Sequence, residues 1–192
     1  MTERQQTLQF LTQNELKALL NKAKTESIRN YCMILLAYRH GLRASEACNI
    51  TVGSVEWESK NIRCERKKGS ISNWQQLADD EVKAIKAWLK KRPKTKNPCL
   101  FISRKGTPIS RCQFFRLFQN LAEKIGLAPE KRHPHILKHS IGTHLSNAGC
   151  SPQVIQNRLG HRNIQNTMVY VQISSGFVDK MVSAAMANGN VV

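Results

Sequence analysis

Residues 159–170 read LGHRNIQNTMVY. Gly160 stops a helix that opens with Ser151 as cap and Pro152 at its first position, where the missing N–H costs nothing and φ is already helical. A second helix begins near Asn163 and carries Tyr170, nine residues after His161. Just upstream, HPHILKHS (133–140) leads into a helix over about residues 135–147, closed by Gly149. It packs three histidines and Lys138 around a proline and two aliphatics.

Working outward from these helices, the remaining chain reads helix, sheet, helix. LTQNELKALLNKAK has Thr12 with Glu15 three residues on, a capping-box pair, followed by Leu16, Leu19, Leu20 and Ala23 at helical spacing. SIRNYCMILLAYRHG is apolar nearly all round and ends at Gly41, which predicts a buried helix. ASEACNI predicts a short helix directly after it. Over SVEWESKNIRCERKKGSISNWQQLA, Val55 and Trp57, then Ile62 and Cys64, alternate with polar residues. The turn-like ESKN and KKGS separate three extended runs, which predicts a three-stranded antiparallel meander.

DDEVKAIKAWLKKR returns to helical patterning, with acids first and bases last, as the helix dipole favours. CLFIS predicts a short extended segment, RKGTPIS a turn, and RCQFFRLFQNLAEKIG an amphipathic helix stopped by Gly126. The tail puts Phe177, Val178, Met181, Val182 and Ala185 on one helical face. No repeat or clear linker divides residues 1–192, so one mostly helical domain with a small sheet is expected.

Thirty Lys and Arg against thirteen Asp and Glu leave a net charge of +17. An excess of that size predicts a polyanionic partner, with nucleic acid first. No apolar run approaches the ~20 residues that span a bilayer, and MTERQQTLQF has no apolar signal core. The expectation is a cytoplasmic protein with no membrane partner. The six cysteines, at 32, 48, 64, 99, 112 and 150, form no C-x-x-C pair. Structural zinc favours such close spacing, so buried, reduced thiols are expected, and no metal.

Taken in order, GLRASEA (41–47), RKKGS (66–70), HPHILKHS and LGHRNIQNTMVY resemble the catalytic domain of the tyrosine recombinases. That DNA strand-exchange family includes phage integrases and chromosome-dimer resolvases. The likeness runs from LTQNEL to the final helix. A tyrosine nine residues after the histidine of an LGH triplet is specific to the family. The G-L-R-x-S-E stretch is less so, and the lysine hairpin alone is weak. FISRKGTPISRCQF and LGHRNIQNT are nearest to the compact, single-domain invertases that switch fimbrial promoters. The resemblance implies a mainly α fold with a small three-stranded antiparallel sheet. It also implies cleavage and rejoining of double-stranded DNA through a 3′-phosphotyrosine intermediate, in DNA inversion or integration, without cofactor or metal.

Such chemistry needs a nucleophile, charge stabilisation and an acid. Tyr170 matches the nucleophile, whose attack keeps the bond energy in an ester. Arg43 matches the first phosphate clamp, a planar two-donor fork, and Glu46, one turn on, matches the acidic residue able to orient it. Lys68 in the KKGS turn matches the lysine that protonates the departing 5′ oxygen, with Lys67 one residue away as the alternative. His135 and His161 match groups that bond a phosphoryl oxygen or exchange a proton with the nucleophile. His133, His139 and His144 match no catalytic role.

Lys138 departs from the pattern. The family has His-x-x-Arg, and this chain has His135-x-x-Lys138. Lysine keeps the charge but lacks the bidentate fork. Three alternatives stand: Lys138 clamps phosphate, it faces DNA backbone while Arg132 or Arg162 fills the site, or it is a deliberate substitution that traps a DNA complex. The second functional reading is accordingly a DNA-binding regulator with blunted catalysis. A third is a type IB topoisomerase-like relaxing enzyme.

The pattern begins within about a dozen residues of Met1, so no N-terminal core-binding domain is expected, and accessory DNA-bending proteins are candidate partners. RKKGS, KKRPKTK, SRK and EKRH are expected to contact phosphates. The tail 172–192 resembles the family's terminal helix, which docks on a neighbouring protomer of a homo-tetramer on synapsed DNA. Packing against its own core is the alternative.

Overall fold

The apolar run 32–37 becomes the centre of the molecule, buried on every side within helix α2 (Ile28–Arg39). The computed structural model describes residues 8–67 and 69–173, with Ser183, Met186 and Ala187. Helix α1 (Gln13–Glu26) starts on Thr12, whose hydroxyl accepts from the Glu15 N–H while the Glu15 carboxylate accepts from the Thr12 N–H. Its buried Leu16, Leu19 and Ala23 face α2. Gly41, at φ +56, turns the chain out of α2 and into the short helix α3 (Ala44–Cys48).

Next comes the expected meander, β1 (Val55–Glu56), β2 (Asn61–Cys64) and β3 (Asn73–Gln76), antiparallel in the order β1-β2-β3. Val55, Ile62 and Cys64 turn inward, as the alternation predicted. Trp57 does not. Strand β1 ends at Glu56, so Trp57 enters the turn, 39% exposed, with the Lys86 ammonium over its ring.

Helix α4 (Asp79–Lys91) packs on α2, and α5 (Arg111–Lys124) buries Phe114, Phe118 and Leu121 towards α1 and α3. Helix α6 (His135–Asn147) lies against α2, then α7 (Pro152–Leu159) and α8 (Gln165–Ile173) fold back on α6. Ser151 caps α7 and Gly160 ends it in the left-handed conformation, φ +68.

The core divides unevenly. One large cluster runs from Leu11 through Leu137, whereas Ile141, Ile155, Leu159 and Tyr170 form a small satellite joining α6, α7 and α8. Each such side chain contributes about 1.5–3 kcal/mol on burial, so α8 is held by a small share of the total. A second fastening ties the sheet to the end of α7: the Ile71 N–H donates to the Gly160 carbonyl, and the Asn73 and Gln75 amides donate to the carbonyls of Asn157 and Arg158.

Three thiols are buried (Cys32, Cys48, Cys64), but Cys99 and Cys150 are half-buried and Cys112 is exposed. Cys112 sits at the start of α5, on the face opposite Phe114 and Phe118, where helical spacing turns it outward. Among the described residues no helix is long and apolar enough to cross a membrane. The tail face 177–185 lies outside the described residues.

Candidate active site

The site grows from the turn between α2 and α3. Arg43 stands just before α3 and Glu46 in its first turn, so the Glu46 carboxylate folds back on the Arg43 N–H (2.9 Å) and guanidinium (2.7 Å). Arg43 Nη1 also donates to Ser70 Oγ in the hairpin, at 3.1 Å. The other face of the carboxylate meets Arg66. Although burial pushes the Glu46 carboxyl up, its bonds from Arg43 and the charges of Arg66 and Lys138 hold it below the ordinary value.

Arg66 corrects an expectation. The run RKKGS reads as a solvated, phosphate-touching turn, yet the Arg66 side chain is wholly buried. Its guanidinium donates to the carbonyls of Gly41, His40 and Arg158 and to Glu46, at 2.7–3.2 Å. Other members of the basic runs are occupied within the fold as well. Arg92 donates to three loop carbonyls (Asn97, Cys99, Leu100), Lys131 to Glu15, and Arg132 to the Leu127 carbonyl.

Lys138, on α6, is 2% exposed. It therefore does not face DNA backbone from the surface, and Arg132, pinned to Leu127, does not take its place; Arg162 is exposed before α8. The Lys138 ammonium donates to the Leu159 carbonyl at 2.7 Å. An ammonium has three donors, and this is its one hydrogen bond among the described residues. Burial first, then Arg66 and Arg43, bring its pKa down to about 7.

The α7–α8 turn supplies His161, whose Nδ1 lies 3.0 Å from Thr167 Oγ1. Its ring lies nearly parallel to Tyr170, 14° apart at 6.4 Å. Burial and the charges of Lys138, Arg43 and Arg66 bring its pKa to about 4, so the imidazole is neutral at pH 7. Tyr170 itself is 2% exposed, its ring laid against α6 where position 142 has no side chain. A Cβ there would come within 2.8 Å of the Tyr170 Cε1 and Cζ atoms. Burial raises the phenol to about 12, with Arg43 pulling the other way.

His135 is the open member of the group, and its ring meets His139 edge-on at 4.5 Å. Burial of part of the ring, then Lys138, His133 and Arg43, lower its pKa. His144 is structural, bridging the Tyr38 hydroxyl and the Leu11 carbonyl.

Five of the six residues expected from the sequence thus form one connected group: Arg43, His135, Lys138, His161 and Tyr170. Lys68 lies outside the described residues. Lys67 is exposed, and its backbone N–H donates to Glu46. His139, which matches no catalytic role in the sequence pattern, has its Nδ1 3.2 Å from the Tyr170 hydroxyl. A signal was there: 135, 139 and 142 fall at i, i+4 and i+7, one stripe of a helix, with a glycine where a ring must fit. Arg66 had no such signal, because only the closing of the hairpin on the α2–α3 turn buries it.

The arrangement offers a hydroxyl nucleophile, at least two cations and two neutral imidazoles around one small volume, a set suited to phosphoryl transfer. Residues 9–176 match the sequence pattern of the phage integrase family. The type 1 fimbriae regulatory protein FimB of Escherichia coli (strain K12) is 40% identical over 172 residues, 87% of this chain and 86% of that protein. The tyrosine recombinase XerC of Erythrobacter litoralis (strain HTCC2594) is 29% identical over 90% of this chain and 58% of its own length. In fold, the XerA recombinase superposes with a TM-score of 0.80 at 24% identity, over 95% of this chain and 65% of that one. The XerH site-specific recombinase, bound to a palindromic difH substrate in a post-cleavage complex, gives 0.79 at 21% identity, over 93% and 53%.

Proposed function

The chain belongs to the phage integrase family, and from that premise we propose that it is a site-specific DNA recombinase that cleaves and rejoins duplex DNA through Tyr170. The observation that carries this is the docking of the Tyr170 ring on Gly142, which lays it against the His139 and His161 rings and within the field of Arg43. The scissile phosphate would be held by the Arg43 fork and by the donors left on Lys138, which stabilise the charge that grows in the transition state. With Nδ1 engaged by Thr167, His161 presents Nε2 to a phosphoryl oxygen. Attack by Tyr170 Oη forms the phosphotyrosine ester and breaks the bond to the 5′ oxygen, which takes its proton from Lys68, or from Lys67 beside it. The reverse attack reseals DNA without an external energy source.

Four copies on two synapsed duplexes complete the reading, with the tail 172–192 reaching a neighbour and accessory bending proteins assisting. Removing residues from Gly176 onward then leaves single-site binding intact and abolishes synapsis; unimpaired recombination by the truncated chain would sink this part.

The deciding experiment is covalent capture. A pool of nicked suicide duplexes with randomised arms is enriched on the protein, and the adduct is resolved on a denaturing gel. Adduct that vanishes in Tyr170→Phe supports the recombinase. The regulator alternative draws on Lys138 standing where the family has arginine, and it forecasts retained DNA without adduct. Steady relaxation of supercoiled plasmid with no selected site would favour the topoisomerase-like reading instead.

A further inference from the structure

We propose that His139 is the catalytic base for Tyr170, its Nδ1 taking the phenolic proton as Oη attacks phosphorus. The inference rests on Tyr170 being the nucleophile and names the group that takes its proton. Both of those rings are near, yet the imidazole nitrogen at hydrogen-bond distance from the hydroxyl is Nδ1 of His139, at 3.2 Å. His161 lies over the ring plane, 6.4 Å between centroids, and its Nδ1 is held by Thr167. His135 meets His139 edge to face, and among the described residues the Tyr170 ring meets the rings of His139 and His161.

A buried phenol with its pKa pushed up to about 12 does not ionise by itself at neutral pH. A base must therefore receive its proton during attack, and that group must lie within about 3.2 Å of the hydroxyl. His139 is suited by its own charge state. Burial, then the neighbouring His135, His133 and Lys138, bring it to about 4, so the ring is neutral at pH 7, and in its Nε2–H tautomer Nδ1 holds the lone pair that accepts from the Tyr170 hydroxyl. Across from α6, the groups that face it are Tyr170 on α8 and His161 in the preceding turn.

The step balances. The Oη–H bond breaks and its proton passes to Nδ1 while the Oη–P bond forms and the P–O5′ bond breaks. The 5′ oxygen takes a proton from the hairpin lysine, and on resealing both protons return. The low proton affinity of His139 in the free protein adds a safeguard. A phosphate anion docked on Arg43 and Lys138 offsets the last-ranked of the influences that depress His139, the Lys138 charge, while burial and the neighbouring histidines still act on it.

The test uses the duplex selected by the wild-type protein and measures single-turnover adduct formation. In His139→Asn, Oδ1 still accepts the hydroxyl's hydrogen bond but cannot hold the proton. The rate is expected to fall about 100-fold, the scale of a general base, with DNA affinity and thermal unfolding unchanged. With trifluorotyrosine, a more acidic phenol, installed at 170, the same substitution is expected to cost less than about tenfold. His139→Gln repeats the comparison if the Asn variant is unstable. An Asn or Gln variant that cleaves within about threefold of wild type, or a penalty undiminished by the fluorinated phenol, overturns the proposal and leaves the recombinase standing. Adduct that persists in Tyr170→Phe, or none with the wild-type protein, strikes the recombinase reading and this one with it.

Discussion

Two buried polar networks hang from the same turn of chain, one on either side of Gly41. On one side, His40 and Glu81 meet at 3.0 Å in ion contact, with Gln75 against the other imidazole nitrogen at 2.9 Å. Burial alone would lower His40, but Cys64 and Glu81 outweigh it and raise the pKa to about 9. On the other side, a single carboxylate, Glu46, faces Arg43, Arg66 and Lys138, and there Lys138 is brought down to about 7 and His161 to about 4. The same residue type is thus pushed in opposite directions within one small protein. The first network answers its histidine with a carboxylate from its own chain. The second carries more positive charge than it can answer, which is the condition of a site awaiting an anion.

The sharpest way to break that contrast is to remove each carboxylate. Glu46→Gln leaves two guanidiniums and an ammonium without their anion, and arginine cannot shed its proton. The expected loss is about 3–5 kcal/mol, the scale for breaking a buried pair, read by urea denaturation at pH 7. Glu81→Gln should cost less, because His40 can become neutral. Equal losses would dissolve the distinction.

Gly142→Ala probes the same side sterically. The new methyl meets the Tyr170 ring, so stability should fall by about 1–3 kcal/mol, and covalent capture should fall with it while DNA affinity holds. Retained capture at full rate would mean the ring need not sit where it does. Lys138→Arg is expected to speed single-turnover cleavage about tenfold, since a guanidinium stays charged and offers a bidentate fork. No gain would count against Lys138 as a phosphate clamp.

The smallest effect separates the networks by pH. The folded pKa of His40 is raised from 6.5 to about 9, so its stabilisation is complete below 6.5 and lost as pH rises through 9. Lys138 is lowered from 10.5 to about 7, so between those values the unfolded chain binds more protons and stability rises with pH. From pH 7 to 9, His40→Gln should therefore gain stability and Lys138→Met should lose it, each by on the order of 1 kcal/mol. Parallel curves for the two variants would show that neither shift acts on folding.

Much of this was readable from residue order. The capping pair Thr12 and Glu15, the stop at Gly160 and the buried run 32–37 are local signals, and local physics decides them. The meander was legible for Ile62 and Cys64 but not for Trp57, because a two-residue strand ends before its alternation can be trusted. The site residues could be placed by motif, in sequence order. What escaped was whatever depends on closure. A basic run looks solvated until the hairpin folds onto residues 40, 41 and 158 and buries Arg66. His139 looks spare until α8 returns with a hydroxyl.

The strap between the hairpin and the end of α7 has a spectroscopic consequence. Ile71 is 53% exposed, so its amide would trade hydrogen with water quickly were it not donating to the Gly160 carbonyl. That one amide is a clock for the assembled centre. It exchanges when the hairpin lifts away from Gly160, the residue next to the Leu159 carbonyl on which the Lys138 ammonium rests. Following its protection in free and DNA-loaded protein would time the opening and closing of the phosphate pocket from a single backbone resonance.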